Sequence, residues 1–256
     1  MDRWAGKVAL VTGASVGIGA QISKALAEKG MKVIAVARRL DKLEELAASI
    51  KREFKTDIYT MVCDVRKEED ILKVFKWAND KLGGVDVLIN NAGVLKNEPI
   101  IDGSTENYRM IMDVNVIAIA ICSREFVRSI KKRKTCGHIV NINSLAGHFA
   151  ESILLPLSVY CASKYAVTGM SHSLRNEIAN EQLKIKVTSL SPGAVDTDML
   201  RDNSGLTSSM MEKMGVLRDK DIADGVIYVL SAPPNVVISE LTICPQGRPL
   251  SASMSQ

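Results

Sequence analysis

Two hydrophobic periods alternate along the chain. Short β-branched runs at residues 8–12, 32–37, 58–63, 85–90, 138–143 and 186–190, with a last one near 236–243, have the length and composition of strands. Between them apolar positions recur every three or four residues over 17–29, 40–53, 68–82, 105–132, 158–181 and 220–230, which predicts amphipathic helices. Strand and helix in strict alternation favour an α/β fold, a doubly wound parallel sheet with helices on both faces. The runs Val8-Ala-Leu-Val11 and Val85-Asp-Val-Leu-Ile89 are almost wholly apolar and suit central strands, buried on both sides. Right-handed crossovers then predict seven strands in the order 3-2-1-4-5-6-7, with any ligand at their carboxyl edge.

Two helical segments depart from simple amphipathicity. Residues 114–122 are apolar around nearly the whole circumference, more than one buried face requires, so the outer side is expected to meet another subunit. In the next helix Ala162, Ala166, Gly169 and Ser173 form a stripe of small residues, fit either for close approach of a second helix or for packing on the chain's own sheet.

Composition narrows the class without choosing the chemistry. A chain of 256 residues, 46% hydrophobic, is expected to fold as one domain over 1–256. A net charge of +4 is mild and does not imply nucleic acid. The basic run from Lys131 to Lys134 falls at the end of a predicted helix, where cations complement the dipole. Cys63, Cys122, Cys136, Cys161 and Cys244 are odd in number and lack metal-type spacing, so neither a disulfide framework nor a metal site is expected. The chain enters its first strand almost at once and has no apolar stretch of bilayer length, which makes a cytoplasmic protein the default expectation.

Chemistry concentrates at the strand ends. Gly13-Ala-Ser15-Val-Gly17-Ile18-Gly19 follows a strand and opens a helix, the context in which backbone N–H groups cradle a pyrophosphate. The second strand ends in Ala37-Arg38-Arg39. An aspartate or glutamate there would bond both ribose hydroxyls; an arginine instead offers a planar cationic fork to a 2′-phosphate, so NADP(H) is favoured. Tyr160 and Lys164 stand four apart on one helix face, a spacing at which the ammonium is expected to stabilise the phenolate and draw the tyrosine into the range of a general acid/base.

Thr12-Gly-x-x-x-Gly-Ile-Gly19, Asn90-Asn-Ala-Gly93, Asn115, Ser144, Tyr160-x-x-x-Lys164 and Pro192-Gly193 together resemble the short-chain dehydrogenase/reductase family, over essentially the whole chain and in order. Gly103-Ser-Thr, the segment Gly137-His-Ile-Val-Asn-Ile-Asn-Ser144 and Leu155-Pro-Leu-Ser-Val resemble its subgroup of insect farnesol dehydrogenases and mammalian dehydrogenase/reductase member eleven. The resemblance implies a Rossmann fold and a catalytic set of Asn115, Ser144, Tyr160 and Lys164. Ser144 would hold the carbonyl oxygen, Tyr160 protonate it, Lys164 also bond the nicotinamide ribose, and Asn115 anchor a relay water. It further implies that Asp64 and Val65 contact adenine, that Asn91, Ala92 and Gly93 line its ribose, and that Pro192, Gly193, Val195 and Thr197 hold the nicotinamide. The alternatives are that Asp64 caps the helix that follows its strand and that Asn91 serves only its turn.

The substrate wall is expected from residues 153–157, including Leu154 and Leu155, from His148, and from a Met-rich loop bearing Met199, Leu200, Leu206, Met210, Met211 and Met214. Such a wall suits an apolar alcohol or carbonyl, with farnesol-type isoprenoids favoured and a broad carbonyl or 3-/17-ketosteroid reductase as the near alternative. A catalytically idle nucleotide-binding scaffold is the alternative of another class. A sugar-nucleotide epimerase is less suited, because few residues follow Thr197. Family habit adds a homodimer or homotetramer.

Overall fold

The computed structural model describes residues 1–153, 155–203, 206, 207, 209, 211 and 215–246. Seven parallel strands, β1 (Val8–Thr12), β2 (Lys32–Ala37), β3 (Tyr59–Val62), β4 (Val87–Asn90), β5 (Gly137–Ile142), β6 (Ile185–Pro192) and β7 (Glu240–Ile243), lie in the order β3-β2-β1-β4-β5-β6-β7. The chain reverses its direction of travel across the sheet between β1 and β4, and the crevice at such a switch point is where ligands bind in open α/β sheets. Helices α1 (Gly17–Glu28), α2 (Leu40–Phe54), α3 (Glu68–Leu82), α4 (Thr105–Met112), α5 (Ala118–Arg133), α6 (Val159–Asn180), α7 (Asp198–Asn203) and α8 (Asp219–Ser231) are described around it. None of the described helices is long and apolar enough to cross a membrane.

Strand pleating divides the core in two. Ala9 and Val11 of β1 face a layer built from α1, α2 and α8, with Ile22, Leu43 and Val226 fully buried. Val8 and Leu10 face the opposite layer, where α3 and α5 contribute Ile71, Phe75 and Phe126. The basic run closes this second layer. Arg133, the last residue of α5, pairs with Asp86 at 2.7 Å, and Asp86 accepts from the Val8 backbone N–H at 3.0 Å.

The long helix expected over 105–132 is broken. Between α4 and α5, Asp113–Ile117 form a π turn. Its wider loop carries Asn115, which is fully buried, with its amide bonded across to the chain leaving β4. Periodicity did not predict this, because residues 114–122 are apolar on nearly every side and so hide the shift of phase that one inserted residue makes. The last strand is also shorter than expected, since Val236 and Val237 remain exposed before Glu240 starts the pairing.

Beneath the carboxyl edge lies a row of buried amides and hydroxyls. Asn90 Nδ2 donates to Asn141 Oδ1 at 2.8 Å, and Asn141 Nδ2 donates to Ser171 Oγ on α6 at 2.9 Å. Asn143 Nδ2 donates to Thr168 Oγ1 at 2.9 Å and to Ser189 Oγ at 3.2 Å. These bonds fix β4, β5, β6 and α6 to one another directly behind Ser144. Asn141→Ala leaves the Asn90 amide and Ser171 without those partners, and should lower unfolding free energy by about 2 kcal/mol, read as a lower denaturant midpoint at unchanged slope.

Candidate active site

A turn that must pass close to another strand end has little choice of residue. Gly13 and Gly17 adopt φ of +65° and +57°, and a Cβ on Gly13 would come within 2.8 Å of Ala92 Cα. A Cβ on Gly19 would meet Asn91 Nδ2 and Gly13 O, each at 2.4 Å. Asn91 holds the turn from the β4 side, donating to Thr12 O at 2.9 Å and Gly13 O at 3.1 Å. Thr12 Oγ1 returns the contact by accepting the backbone N–H groups of Asn91 and Ala92, both at 3.0 Å. Val16 precedes α1 and supplies no side-chain cap, so the first N–H groups of that helix are left to an anion.

One cavity of about 1290 Å³ runs from this turn across the carboxyl edge of the sheet. At one end it is lined by Arg38, Arg39, Asp64 and Val65. Gly13, Ser15, Gly17, Ile18, Gly19, Asn91, Ala92 and Gly93 line its middle, and Ser144, Tyr160, Lys164, Pro192, Gly193, Val195, Thr197 and Met199 its far end. Arg39 Nη2 donates to Ser15 Oγ at 3.2 Å, tying the end of β2 to the glycine turn. Asp64 does not cap α3; Lys67 holds the cap position, and the Asp64 carboxylate turns to Arg66 instead.

Helix α6 begins after Ser158, whose φ of +51° lies in the left-handed region, and presents Tyr160 and Lys164 one turn apart. Lys164 is 6% exposed, and its Nζ donates to Ile142 O at 2.9 Å while standing 5.7 Å from the Tyr160 ring centroid. The turn after Ser144 rests on the same helix. A Cβ on Gly147 would lie 2.6 Å from Lys164 O, and Thr168 Oγ1 donates to Gly147 O at 3.0 Å. Ser144 Oγ accepts from the Ala146 N–H at 3.1 Å, and Ser144 and Tyr160 line the same end of the cavity.

Burial pushes the Tyr160 phenol up to about 12, opposed by the hydrogen bond from Ser144. The spacing of Tyr160 and Lys164 led us to expect the lysine to lower it. Among the protein's own groups desolvation wins, because burial penalises the charged phenolate more than its neighbours favour it. Burial also draws Lys164 down to about 8. At neutral pH the tyrosine is therefore protonated, a donor beside the Ser144 hydroxyl.

Other expected residues are placed differently. Asn115 does not line the cavity: its Oδ1 accepts from Val94 N at 2.9 Å, and its Nδ2 donates to Val94 O at 2.9 Å and Ser163 Oγ at 3.0 Å. It clamps the segment that follows Gly93 and ties it to α6. His148 also lies outside the lining, with Nε2 2.9 Å from Ser191 Oγ; its neighbour Phe149 takes the wall position. Leu155 and Met199 line the cavity, as do Leu200 and Leu206. Leu154, Met210 and Met214 lie outside the described residues. Motif reading missed Arg66, Leu95, Leu145, Phe149 and Pro245 in the lining. Arg66 and Phe149 sit next to residues that were selected, and only the direction of each side chain distinguishes them.

The lysine's folded-state pKa lies below its ordinary value of 10.5, so its ionisation contributes stability above that value and loses it as pH falls through about 8. Lys164→Met should thus stabilise the fold at pH 7 by about 1–2 kcal/mol, after allowing for the lost bond to Ile142, with the gain fading between those two pH values. Denaturant midpoints measured across that range check it, and a Met variant less stable at pH 7 would contradict it.

The family model for short chain dehydrogenase matches residues 7–205. The chain is 46% identical to farnesol dehydrogenase of Aedes aegypti, covering 96% of this chain and 99% of that one. It is 44% identical to dehydrogenase/reductase SDR family member 11 of Gallus gallus, covering 96% and 98%. It also resembles the crystal structure of an alcohol dehydrogenase from the archaeon Thermococcus sibiricus complexed with 5-hydroxy-NADP, with a TM-score of 0.81, 29% identity, and coverage of 93% and 95%. The chain belongs to the short-chain dehydrogenase/reductase family.

Proposed function

We propose that this chain, as a single domain over 1–256, is an NADP(H)-dependent oxidoreductase that interconverts an apolar alcohol with its aldehyde or ketone, a farnesol-type isoprenoid alcohol being favoured. The observation that carries the reading is the single cavity with Arg38 at one end and Ser144, Tyr160 and Lys164 at the other. The residues between fit a dinucleotide: an uncapped helix N-terminus for the pyrophosphate, and glycines where a Cβ would fill the cradle. The archaeal neighbour's 5-hydroxy-NADP supports the choice of nucleotide.

Bound NADPH supplies a hydride to the carbonyl carbon in the reductive direction. The work of the chain is to bind the oxygen on which negative charge grows. The Ser144 hydroxyl holds that oxygen, and Tyr160, kept protonated by its burial, donates to it. In oxidation the same phenol must accept the proton. Lys164, fixed by Ile142 O under the ring, keeps a positive charge where it favours the phenolate form. Asn115 acts through the Val94 backbone and Ser163, holding the cavity floor; a relay water bonded there would join it to Lys164.

Phe149, Leu155, Met199 and Leu206 give the far end an apolar wall. That wall, and the name of the Aedes aegypti relative, favour an isoprenoid chain over a sugar or acid. A broad carbonyl or ketosteroid reductase shares the same chemistry and is the second reading, supported by the similarity to family member 11 of Gallus gallus. An idle scaffold would not need a protonated phenol and a hydroxyl exposed together in the cavity. A homodimer or homotetramer fits the outer faces of two helices: Ile117 is 50% exposed, Tyr165 45%, and a Cβ on Gly169 would meet open space. A reducing, cytoplasmic setting fits the five free cysteines.

NADPH fluorescence followed over farnesol, farnesal, retinal, steroids and aromatic diketones, in both directions, should show turnover first with the isoprenoid pair. Tyr160→Phe should lower that rate by about 10²–10⁴ with little change in cofactor binding; retained turnover would end the assignment. Arg38→Asp should raise the KM for NADPH far more than that for NADH, and equal effects would refute the 2′-phosphate site.

A further inference from the structure

At the adenine end a carboxylate stands where it could spoil a phosphate site. Strands β2 and β3 are neighbours, with Ala37 opposite Val62, so Arg38 and Asp64 emerge side by side from their carboxyl ends. The positive charge of Arg38 helps hold the Asp64 carboxyl below its usual range, behind the larger effect of Arg66. Left to itself, Asp64 would attract the Arg38 guanidinium and repel any dianion placed between them.

Arg66 occupies that carboxylate. Its Nε donates to Asp64 Oδ1 at 2.9 Å and to Oδ2 at 3.1 Å, its Nη2 donates to Oδ2 at 2.5 Å, and its backbone N–H closes on Oδ1 at 3.1 Å. The Asp64 backbone is itself pinned, donating to Asp70 Oδ2 at 3.2 Å. Arg38, by contrast, is exposed, lines the cavity, and forms no ion pair among the described residues. A bidentate fork already satisfied by one carboxylate is poorly placed to take a second anion. The two arginines therefore have different tasks although both border the same cavity.

We propose that Arg66 is a specificity-determining residue for the 2′-phosphate that acts by occupying Asp64 and leaving Arg38 uncommitted, without itself touching the phosphate. This inference rests on the NADP(H) reading above. It implies that cofactor choice depends on three residues, two of which never contact the distinguishing group.

Isothermal titration with adenosine 2′,5′-bisphosphate and with 5′-AMP separates the two levels, because the ratio of their affinities reports the 2′-phosphate and cancels effects on adenine. The unsubstituted protein should prefer the bisphosphate by about tenfold or more; no preference would overturn the NADP(H) reading and this inference with it. Arg66→Ala should cut the preference by about tenfold, and adding Asp64→Asn should return it to within about threefold of the starting value. Arg66→Lys, which keeps the charge beside Asp64, should retain most of it. A ratio unmoved by Arg66→Ala in a protein that still prefers the bisphosphate would contradict the screening role alone. A loss that Asp64→Asn fails to restore would mean that Arg66 binds the phosphate directly, and would overturn it too. A lysine variant as poor as alanine would contradict the claim that neutralisation is what matters.

Discussion

An ammonium group shut away from water beneath a phenol is expensive to hold, and the rest of the site is arranged around holding it. Lys164 reaches the last carbonyl of β5, and the backbone next to it is packed so tightly under Gly147 that no side chain could fit between them. That contact sets the distance between α6 and the turn carrying Ser144, and so brings the serine hydroxyl to Tyr160. Behind it the buried amides of Asn90, Asn141 and Asn143 link three strands to α6, where an apolar core would allow sliding. Stability is given up at Lys164 and recovered through a linked polar layer, a division common where a fold serves chemistry.

The two ends of the cavity use charge in opposite ways. At the far end the lysine is buried, its pKa drawn down and its neighbour's pushed up, both by burial. At the adenine end the charges are partly exposed and paired, Arg66 with Asp64, and what matters is which cation remains uncommitted. Between them the glycine turn contributes no side-chain charge, only backbone N–H groups at the start of α1. Asn115 belongs to neither end. Its π turn lets one buried amide hold Val94 by both backbone groups, fixing the segment that forms the cavity floor.

Strand order, both layers of helices and the glycine turn were legible in the sequence because each depends on local period or on a residue type that alone fits the backbone. β1, β2 and α3 begin and end where the apolar pattern begins and ends. What escaped depends on direction or on register. The break at Asp113–Ile117 buries Val114, Asn115 and Val116 in succession, and in the sequence it shows only as an apolar circumference, which a subunit contact would explain equally well. His148 and Phe149 are adjacent, and sequence could not tell which would face the cavity and which would turn to Ser191. The pKa of Tyr160 differs from expectation for a related reason: spacing gives proximity to Lys164 but says nothing of the burial that pushes the phenol up.

We propose that this cavity passes a hydride between a nicotinamide and an apolar substrate. The most direct test is a reduction of farnesal with NADPH deuterated at the transferable C4 position, the alcohol then analysed by mass spectrometry. Deuterium is expected on the carbinol carbon of the alcohol formed. Alcohol formed without the label would contradict it, and so would the absence of any alcohol while the cofactor remains bound.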